Sequence, residues 1–389
     1  MKKLEVIGRG PIPKNLSVVD LVDRYFQAYN AARLREVCQL LAREVLKPEV
    51  VVGMSFSGAL TPAGLGQSCM VPIIANGWAD WIITTGANIY HDLHFALGLN
   101  LYKGSAFVND QELLKQKVVR VYDVFLEFST LLKTDRYLYQ VFADKGFSAQ
   151  MSTAELHYRL GRVMLDQARD PEKLCRTSFV AAAAKAGVPI FVASPGDSTL
   201  GLNIAALNLV GHNILMDPAR DVNESCAVVY HAKTQVGRSA AIIWGGGAPK
   251  NFLLQTEPQL QEILGFQITG HDYFAQVTDA RPDTGGLSGA TPSEAVTWNK
   301  IDPAMLPKAV VCYTDSTIAL PLTVAYLQAK AIRRQPRRLV TQLDDLVDHL
   351  RVKYQERKAL IEGKLSVKKM RAVLEGGEAK PKKKRSNRR

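Results

Sequence analysis

The chain has 389 residues, 47% hydrophobic and 22% charged, with 49 Lys and Arg against 37 Asp and Glu for a formal net charge of +12. That apolar content excludes wholesale disorder, and the length allows two or three domains or one large α/β domain. Half of the positive excess lies in residues 376–389, where seven basic residues face one acid for a net of +6, so a specific nucleic-acid partner is not implied for the body.

No stretch approaches the ~20 apolar residues of a membrane helix. The two amino-terminal lysines are not followed by a signal-peptide core. A soluble, cytoplasmic protein without a membrane partner is expected. The cysteines, Cys38, Cys69, Cys175, Cys226 and Cys312, show no CxxC spacing, and their odd number argues against a disulfide framework or a zinc site, so no metal is expected.

Taken in chain order, Val50 to Met54 (VVVGM) predicts a first strand, followed by a Ser/Gly/Pro loop and a segment from about Gly64 to Gly77. Trp81 to Thr84 (WIIT) predicts a second strand, then a turn and a helix around Asp92 to Leu97. Ser152 followed by Glu155 is a capping-box pattern opening a helix over Thr153 to about Gln167. Pro171 suits the first turn of the next helix, which runs through Ala181 to Ala186 and stops at Gly187. Further strands are expected at Pro189 to Ala193, Asn213 to Met216, Ala240 to Ile243 and Ala309 to Tyr313. Short, continuously apolar runs of this kind are how parallel strands buried on both faces read. The fold class is therefore α/β, with a doubly wound, mainly parallel, Rossmann-like sheet. From about Thr341 to Glu375 the pattern is helical and charged, with Leu346, His349, Leu350 and Tyr354 on one face, as in an extension packed on the body or on a neighbouring subunit. Residues 376–389 form a basic, low-complexity tail that is expected to be disordered.

Such sheets bind ligands beyond the carboxyl ends of their strands. The loops there are Ser55 to Gly64, Thr84 to Asp92, Ser194 to Gly201, Gly245 to Gly247 and Thr314 to Ser316. Small residues and hydroxyls at these places suit a nucleotide, with Asp197 and Asp315 as candidate carboxylates for sugar hydroxyls. None is a GxGxxG or P-loop, and loops that merely turn the chain use the same residue types. A second signal runs from Asp283 to Lys300, where a glycine-rich loop enters a helix start at Pro292 to Glu294 and ends on Lys300 beside Trp298. A lysine among apolar and aromatic neighbours loses its proton more easily and becomes an imine-forming nucleophile. Trp298 could hold a substrate ammonium against its face. A surface lysine after a buried tryptophan would use the same residues. His91 and His94 have an i, i+3 spacing without a third ligand nearby, which favours a structural or substrate-contacting role. Gly53 to Gly58 misses the GxSxG spacing of a nucleophile elbow.

Several runs resemble the deoxyhypusine synthase family: Thr84 to Asn88 (TTGAN) with Asp92, Gly245 to Lys250 (GGGAPK), Ser288 to Ile301 (SGATPSEAVTWNKI) and Tyr313 to Ser316 (YTDS). The resemblance spans roughly residues 50–330. It implies a Rossmann-like catalytic domain with bound NAD over residues 1–340, followed by the helical extension 341–375 and the tail 376–389. It also implies a homotetramer with active sites at subunit interfaces. The implied reaction takes a hydride from spermidine onto NAD, captures the four-carbon fragment on Lys300 as an imine, passes it to an acceptor amine and returns the hydride. By motif position the NAD contacts include Ser57, Gly58, Thr84, Thr85, Asp197, Asp279, Ala280, Asp315 and Ser316, while Glu294, Trp298 and Lys300 line the polyamine tunnel.

The departures bear on the acceptor. Tyr90 and His91 stand where the family's protein-modifying members carry two glutamates before Asp92. Leu202 and Leu287 replace tunnel aspartates, and Asn251 replaces a histidine. Carboxylates hold a polyamine's ammonium groups, so the pattern keeps the imine machinery and alters recognition of the polyamine end. It resembles the bacterial, homospermidine synthase-like branch, in which the acceptor is a small amine such as putrescine. The alternatives are a true deoxyhypusine synthase acting on a protein lysine and an inactive nucleotide-binding scaffold.

Overall fold

A computed structural model describes residues 6–8 and 10–364, with side chains through Lys358. Six strands form one sheet in which every neighbouring pair is parallel. They are β1 (Val50–Phe56), β2 (Trp81–Thr84), β3 (Ile190–Val192), β4 (Arg238–Trp244), β5 (Tyr273–Thr278) and β6 (Val310–Tyr313), ordered β6-β5-β4-β1-β2-β3 across the sheet. Along β1, Val50, Val52, Met54 and Phe56 join one apolar cluster and Val51 the other. Both faces are buried, which explains the unbroken apolar runs of these strands.

The helices that matter below are α1 (Gly86–Ala96), α2 (Phe128–Phe142), α3 (Thr153–Gln167), α4 (Phe179–Ala186), α5 (Thr199–Leu209), α6 (Pro218–His231), α7 (Gly247–Pro258), α8 (Pro292–Thr297), α9 (Ser316–Ala329) and α10 (Leu343–Lys364). Their ends follow local chemistry. The Ser152 hydroxyl accepts from the Glu155 amide at 3.0 Å and starts α3. Gly187, at φ 73°, ends α4 in the left-handed conformation that glycine adopts without strain. Buried residues of α3, α4 and α9 cover one sheet face, and those of α6, α7 and α10 cover the other. Helix α10 packs on α6 through Leu343, Leu346 and Leu350. The helix expected over 341–375 is seen over Leu343–Lys364, and both its remainder and the basic tail lie outside the described residues.

Several expectations need correction. The helix expected from Pro171 through Ala186 is two, Pro171–Thr177 and Phe179–Ala186, because Ser178 is extended and caps the second. Asn213 to Met216 does not enter the main sheet: only Leu215–Met216 is extended, pairing with Gln150–Met151 in a separate two-stranded sheet. Asp217 caps α6 directly afterwards, so the chain turns into a helix before a central strand can form. Conversely, β5 is a central strand that the apolar pattern does not announce, because Gln276 and Thr278 interrupt it. Both are buried, and the Gln276 amide is satisfied by Lys250 Nζ and by the Gly245 and Ser288 carbonyls. A small antiparallel sheet of Tyr102–Lys103, Val118–Val121 and Val124–Glu127 is also absent from the sequence reading, since its residues are largely exposed or half-buried. Among the described residues no helix is long and apolar enough to cross a membrane.

Candidate active site

From β1 the strand order runs through β2 and β3 on one side and through β4, β5 and β6 on the other, which leaves a crevice at the carboxyl ends between β1 and β4. A hollow of about 220 Å3 sits there, lined by Ser57 and Gly58 after β1, Thr84 at the end of β2 and Thr85 after it, Asp197 after β3 and Gly247 after β4. Two helices start at its wall: Thr85 caps α1 and Gly246 precedes α7. The positive ends of their dipoles make the hollow receptive to an anion. Its loops are tied together. Thr85 Oγ1 donates to the Gly58 carbonyl at 2.7 Å, Thr84 Oγ1 to the Phe56 carbonyl at 3.0 Å, and the Ser57 hydroxyl to the Gly246 carbonyl. Asn88, which sequence reasoning did not single out, holds the Ser55 to Gly64 loop: its Oδ1 accepts from the Leu60 and Thr61 amides, and its Nδ2 donates to the Gly58 carbonyl.

The remaining cofactor candidates lie elsewhere on the same sheet edge. Asp279 and Ala280 follow β5, Asp315 and Ser316 follow β6, and none of the four lines the Ser57 hollow. Asp315 accepts from the Thr317 amide at 2.7 Å and so caps α9, while Ser316 Oγ donates to the Val277 carbonyl at 3.2 Å.

On the other side of α7 a pocket of about 180 Å3 is lined by Lys250, Asn251, Leu287, Glu294, Trp298 and Lys300 among others. Lys300 is fixed by its backbone. Its amide donates to the Ala295 carbonyl at 2.9 Å, and its carbonyl accepts from the His271 amide at 3.0 Å. Asn299 before it takes a positive φ of 53°, which turns the chain out of α8. The Lys300 ammonium lies 5.8 Å from the Trp298 ring centroid and 3.4 Å from Asn251 Oδ1. Burial pushes it below the usual lysine range, and Glu262 and Glu294 oppose the shift without cancelling it. Trp298 is not the buried residue of the bland alternative; it is 56% exposed and stands at the pocket mouth, facing the catalytic candidate itself.

Lys250 is the residue that spacing alone did not assign. It is buried and donates to Gln276 Oε1 at 2.9 Å, the Ala290 carbonyl at 2.7 Å and the Ser288 carbonyl at 3.3 Å. It therefore clamps the glycine-rich loop that leads into α8. Burial brings its ammonium down to about 8, with Lys300 adding to the fall and Glu294 opposing it. The same loop presses on α7: Ser288 Oγ accepts from the Gly247 amide at 2.8 Å, and a Cβ on Gly246 would stand 2.4 Å from the Ser288 side chain.

Tyr90, His91 and Asp92 are not gathered to Lys300 within this chain. Tyr90 is buried and donates to Asp135 Oδ1 at 2.9 Å. His91 Nδ1 lies 3.1 Å from His94 Nε2, and burial brings the imidazoles down to about 4 and about 3. Asp92 is fully enclosed and accepts from the Ser178 hydroxyl and from the Phe179 amide at 3.0 Å, where α4 begins. These three face the packing of α1 against α2 and α4. Of the two leucines at carboxylate positions, Leu287 lines the Lys300 pocket, and Leu202 lies 64% exposed on α5. A further hollow, about 720 Å3, is lined by Phe95, Tyr137, Met164 and Lys173 among others and shares no residue with the strand-end pockets.

The family model for deoxyhypusine synthase matches residues 20–327. The chain belongs to the deoxyhypusine synthase family. It is 51% identical over 351 residues to a deoxyhypusine synthase-like protein of Nostoc punctiforme, covering 90% of this chain and 89% of that one. A protein of the same description from Thermosynechococcus vestitus is 52% identical over 353 residues, with 90% and 87% covered. A solved structure assigned to deoxyhypusine synthase from Entamoeba histolytica superposes with a TM-score of 0.51 at 15% identity, covering 85% of this chain and 99% of that one, a likeness of fold. Membership in the deoxyhypusine synthase family supports an enzyme of aminobutyl transfer.

Proposed function

We propose that the protein is an NAD-dependent aminobutyl transferase that moves a 4-aminobutyl group from spermidine or a related polyamine, through an imine on Lys300, to a small acceptor amine such as putrescine. The observation that carries this reading is Lys300. Its ammonium is partly desolvated and pushed below the usual lysine range, in a pocket one helix away from the crevice of the parallel sheet. When bound, NAD supplies the hydride acceptor at the start of the cycle and the hydride donor at its end.

The residues of the crevice suit that cofactor. Two helix starts offer amides to a pyrophosphate, Asp197 offers a carboxylate to ribose hydroxyls, and Gly58, at φ 74°, has open space where a side chain would project. On the other side of α7, Lys300 supplies the nucleophilic amine and Asn251 Oδ1 orients it. Trp298 shields the pocket mouth and stabilises a cation, and Glu294 balances the charge of two lysines. With Leu287 in the wall, Glu294 is the single carboxylate lining this pocket. A pocket so poor in negative charge suits a monocationic aminobutyl fragment better than a fully charged polyamine. The family's homotetramer with shared active sites and a cytoplasmic location are part of this reading; exposed Leu202, Leu209 and Val210 offer an apolar face for a second subunit.

Incubation with NAD and aminobutyl-labelled spermidine, with and without putrescine, tests it. Label in homospermidine is expected. Label only in a protein acceptor overturns the small-amine reading, and no transfer together with no borohydride-trapped adduct on Lys300 overturns the enzyme reading.

A further inference from the structure

Alongside the Lys300 pocket runs a third hollow, about 500 Å3, that no catalytic motif accounts for. It shares Asn251 and Leu287 with the Lys300 pocket and Ala193 and Ala248 with the nucleotide crevice, so all three spaces meet along α7. The wall presents Ala248, Asn251, Phe252, Gln255 and Gln259, spaced three or four residues apart in the main and therefore on one stripe of the helix and its continuation. Apolar surface from Phe252 and Leu287 alternates with side-chain amides. Glu262 is the one charged residue of the lining, and its carboxylate is close enough to act on the Lys300 ammonium.

The groove is placed to serve the Lys300 pocket. Asn251 and Leu287 form the wall that the two spaces share, so an amine held in the groove lies next to a fragment carried on Lys300.

Resting on the aminobutyl-transfer reading, we infer that this groove is the acceptor site, that its ligand is a linear aliphatic diamine, and that Glu262 holds the diamine's distal ammonium while the near amine reaches the Lys300 adduct past Asn251. Charge complementarity carries the choice of ligand: one carboxylate, no cation, an apolar path for methylenes and amides at the reacting end. In the transfer step the near amine, as the free base, forms a bond to the imine carbon. A proton then passes from the new ammonium to Lys300 Nζ, the bond between that carbon and Nζ breaks, and the fragment leaves as an imine of the acceptor. No electrons are exchanged in this step. With Glu262 neutralised by the bound ammonium, Lys300 loses one of the two carboxylates that favour its charged form, and it is released as an amine ready for the next donor.

The experiment uses the full chain with NAD, spermidine as donor, and two acceptors, putrescine and butylamine. Glu262 is exposed, so Glu262→Gln and Glu262→Lys are expected to fold with unchanged melting. In both variants the borohydride-trapped adduct on Lys300 forms at no less than the wild-type rate. Glu262→Gln raises the KM for putrescine about tenfold or more and leaves butylamine unchanged, and Glu262→Lys abolishes turnover with putrescine. An unchanged putrescine KM in Glu262→Gln, with the adduct intact, overturns the acceptor site alone. An equal rise for butylamine overturns the role of the distal ammonium. Absence of the adduct in the wild type overturns the transfer reading itself and this site with it.

Discussion

The segments around Lys300 and around Asp92 carry the same kinds of residue and use them in opposite ways. Near Lys300 the backbone is held rigidly, by Ala295 and His271, while the side chain is left in a pocket with a half-exposed tryptophan and one amide partner. Around Asp92 the side chains themselves are spent: Tyr90 on Asp135, His94 on Thr134, and Asp92 on the first amides of α4. A functional group that must change partners needs main-chain support and a free head, whereas a structural polar group needs its head fully bonded. The difference separates a chemical site from a packing site more sharply than residue type does.

Lys300→Ala is the severest test of that contrast. It removes the nucleophile and should lower turnover by at least about 1,000-fold, with no trapped adduct and an unchanged melting curve. Residual adduct on another lysine would break the assignment. Asp92→Ala should do the reverse. It leaves the first two amides of α4, those of Phe179 and Val180, without their side-chain acceptor and removes the acceptor of the Ser178 hydroxyl, for a loss of about 2–4 kcal/mol in urea unfolding, while Lys300 is still labelled at low temperature. Loss of labelling in a folded Asp92→Ala protein would move Asp92 into the active site.

Much of this was legible from the sequence, for reasons that differ by element. Strands β1, β2, β3, β4 and β6 are read from unbroken apolar runs because both sheet faces are covered. Strand β5 is not, because Gln276 lies in the core by virtue of Lys250 and of the Gly245 and Ser288 carbonyls, partners that no local pattern connects to it. Lys300 was marked by its motif. Its low proton affinity comes from burial and is held in check by Glu262, contributed by the continuation of α7, which no spacing rule connects to it. The crevice residues Ser57, Gly58, Thr84, Thr85 and Asp197 sit together because consecutive parallel strands bring their loops to one edge. Asp279 and Asp315 share the edge but belong to β5 and β6, a distinction that requires the strand order and hence the tertiary structure.

Lys250 falls between the two regions, being a bonded head that serves the site. Lys250→Met should cost about 1–3 kcal/mol at pH 7.5, since three acceptors lose their donor. Its ammonium is brought down to about 8 in the folded protein against 10.5 for an ordinary lysine, so above pH 8 the unfolded chain binds the extra proton. Wild-type stability relative to Lys250→Met should therefore rise from pH 8 to about 10.5, and urea midpoints at pH 7.5 and 10 measure it. A gap that narrows with pH would mean that the charged form is the one the fold prefers.

The smallest effect is expected from Tyr90→Phe, and it bears most directly on the acceptor end. The phenol donates to Asp135 Oδ1, which keeps a second donor in Asn203 Nδ2 at 3.1 Å when the hydroxyl is removed. The loss should be about 1 kcal/mol of stability, with the KM for spermidine and the rate of Lys300 labelling unchanged. If the KM instead shifts more than about threefold while the loss of stability stays small, Tyr90 contacts the polyamine. Because Tyr90 faces α2 and not the Lys300 pocket within this chain, such a contact requires α1 of one subunit to approach the pocket of another. The same substitution thus tests whether one chain holds the whole amine site or needs a neighbouring subunit to complete it.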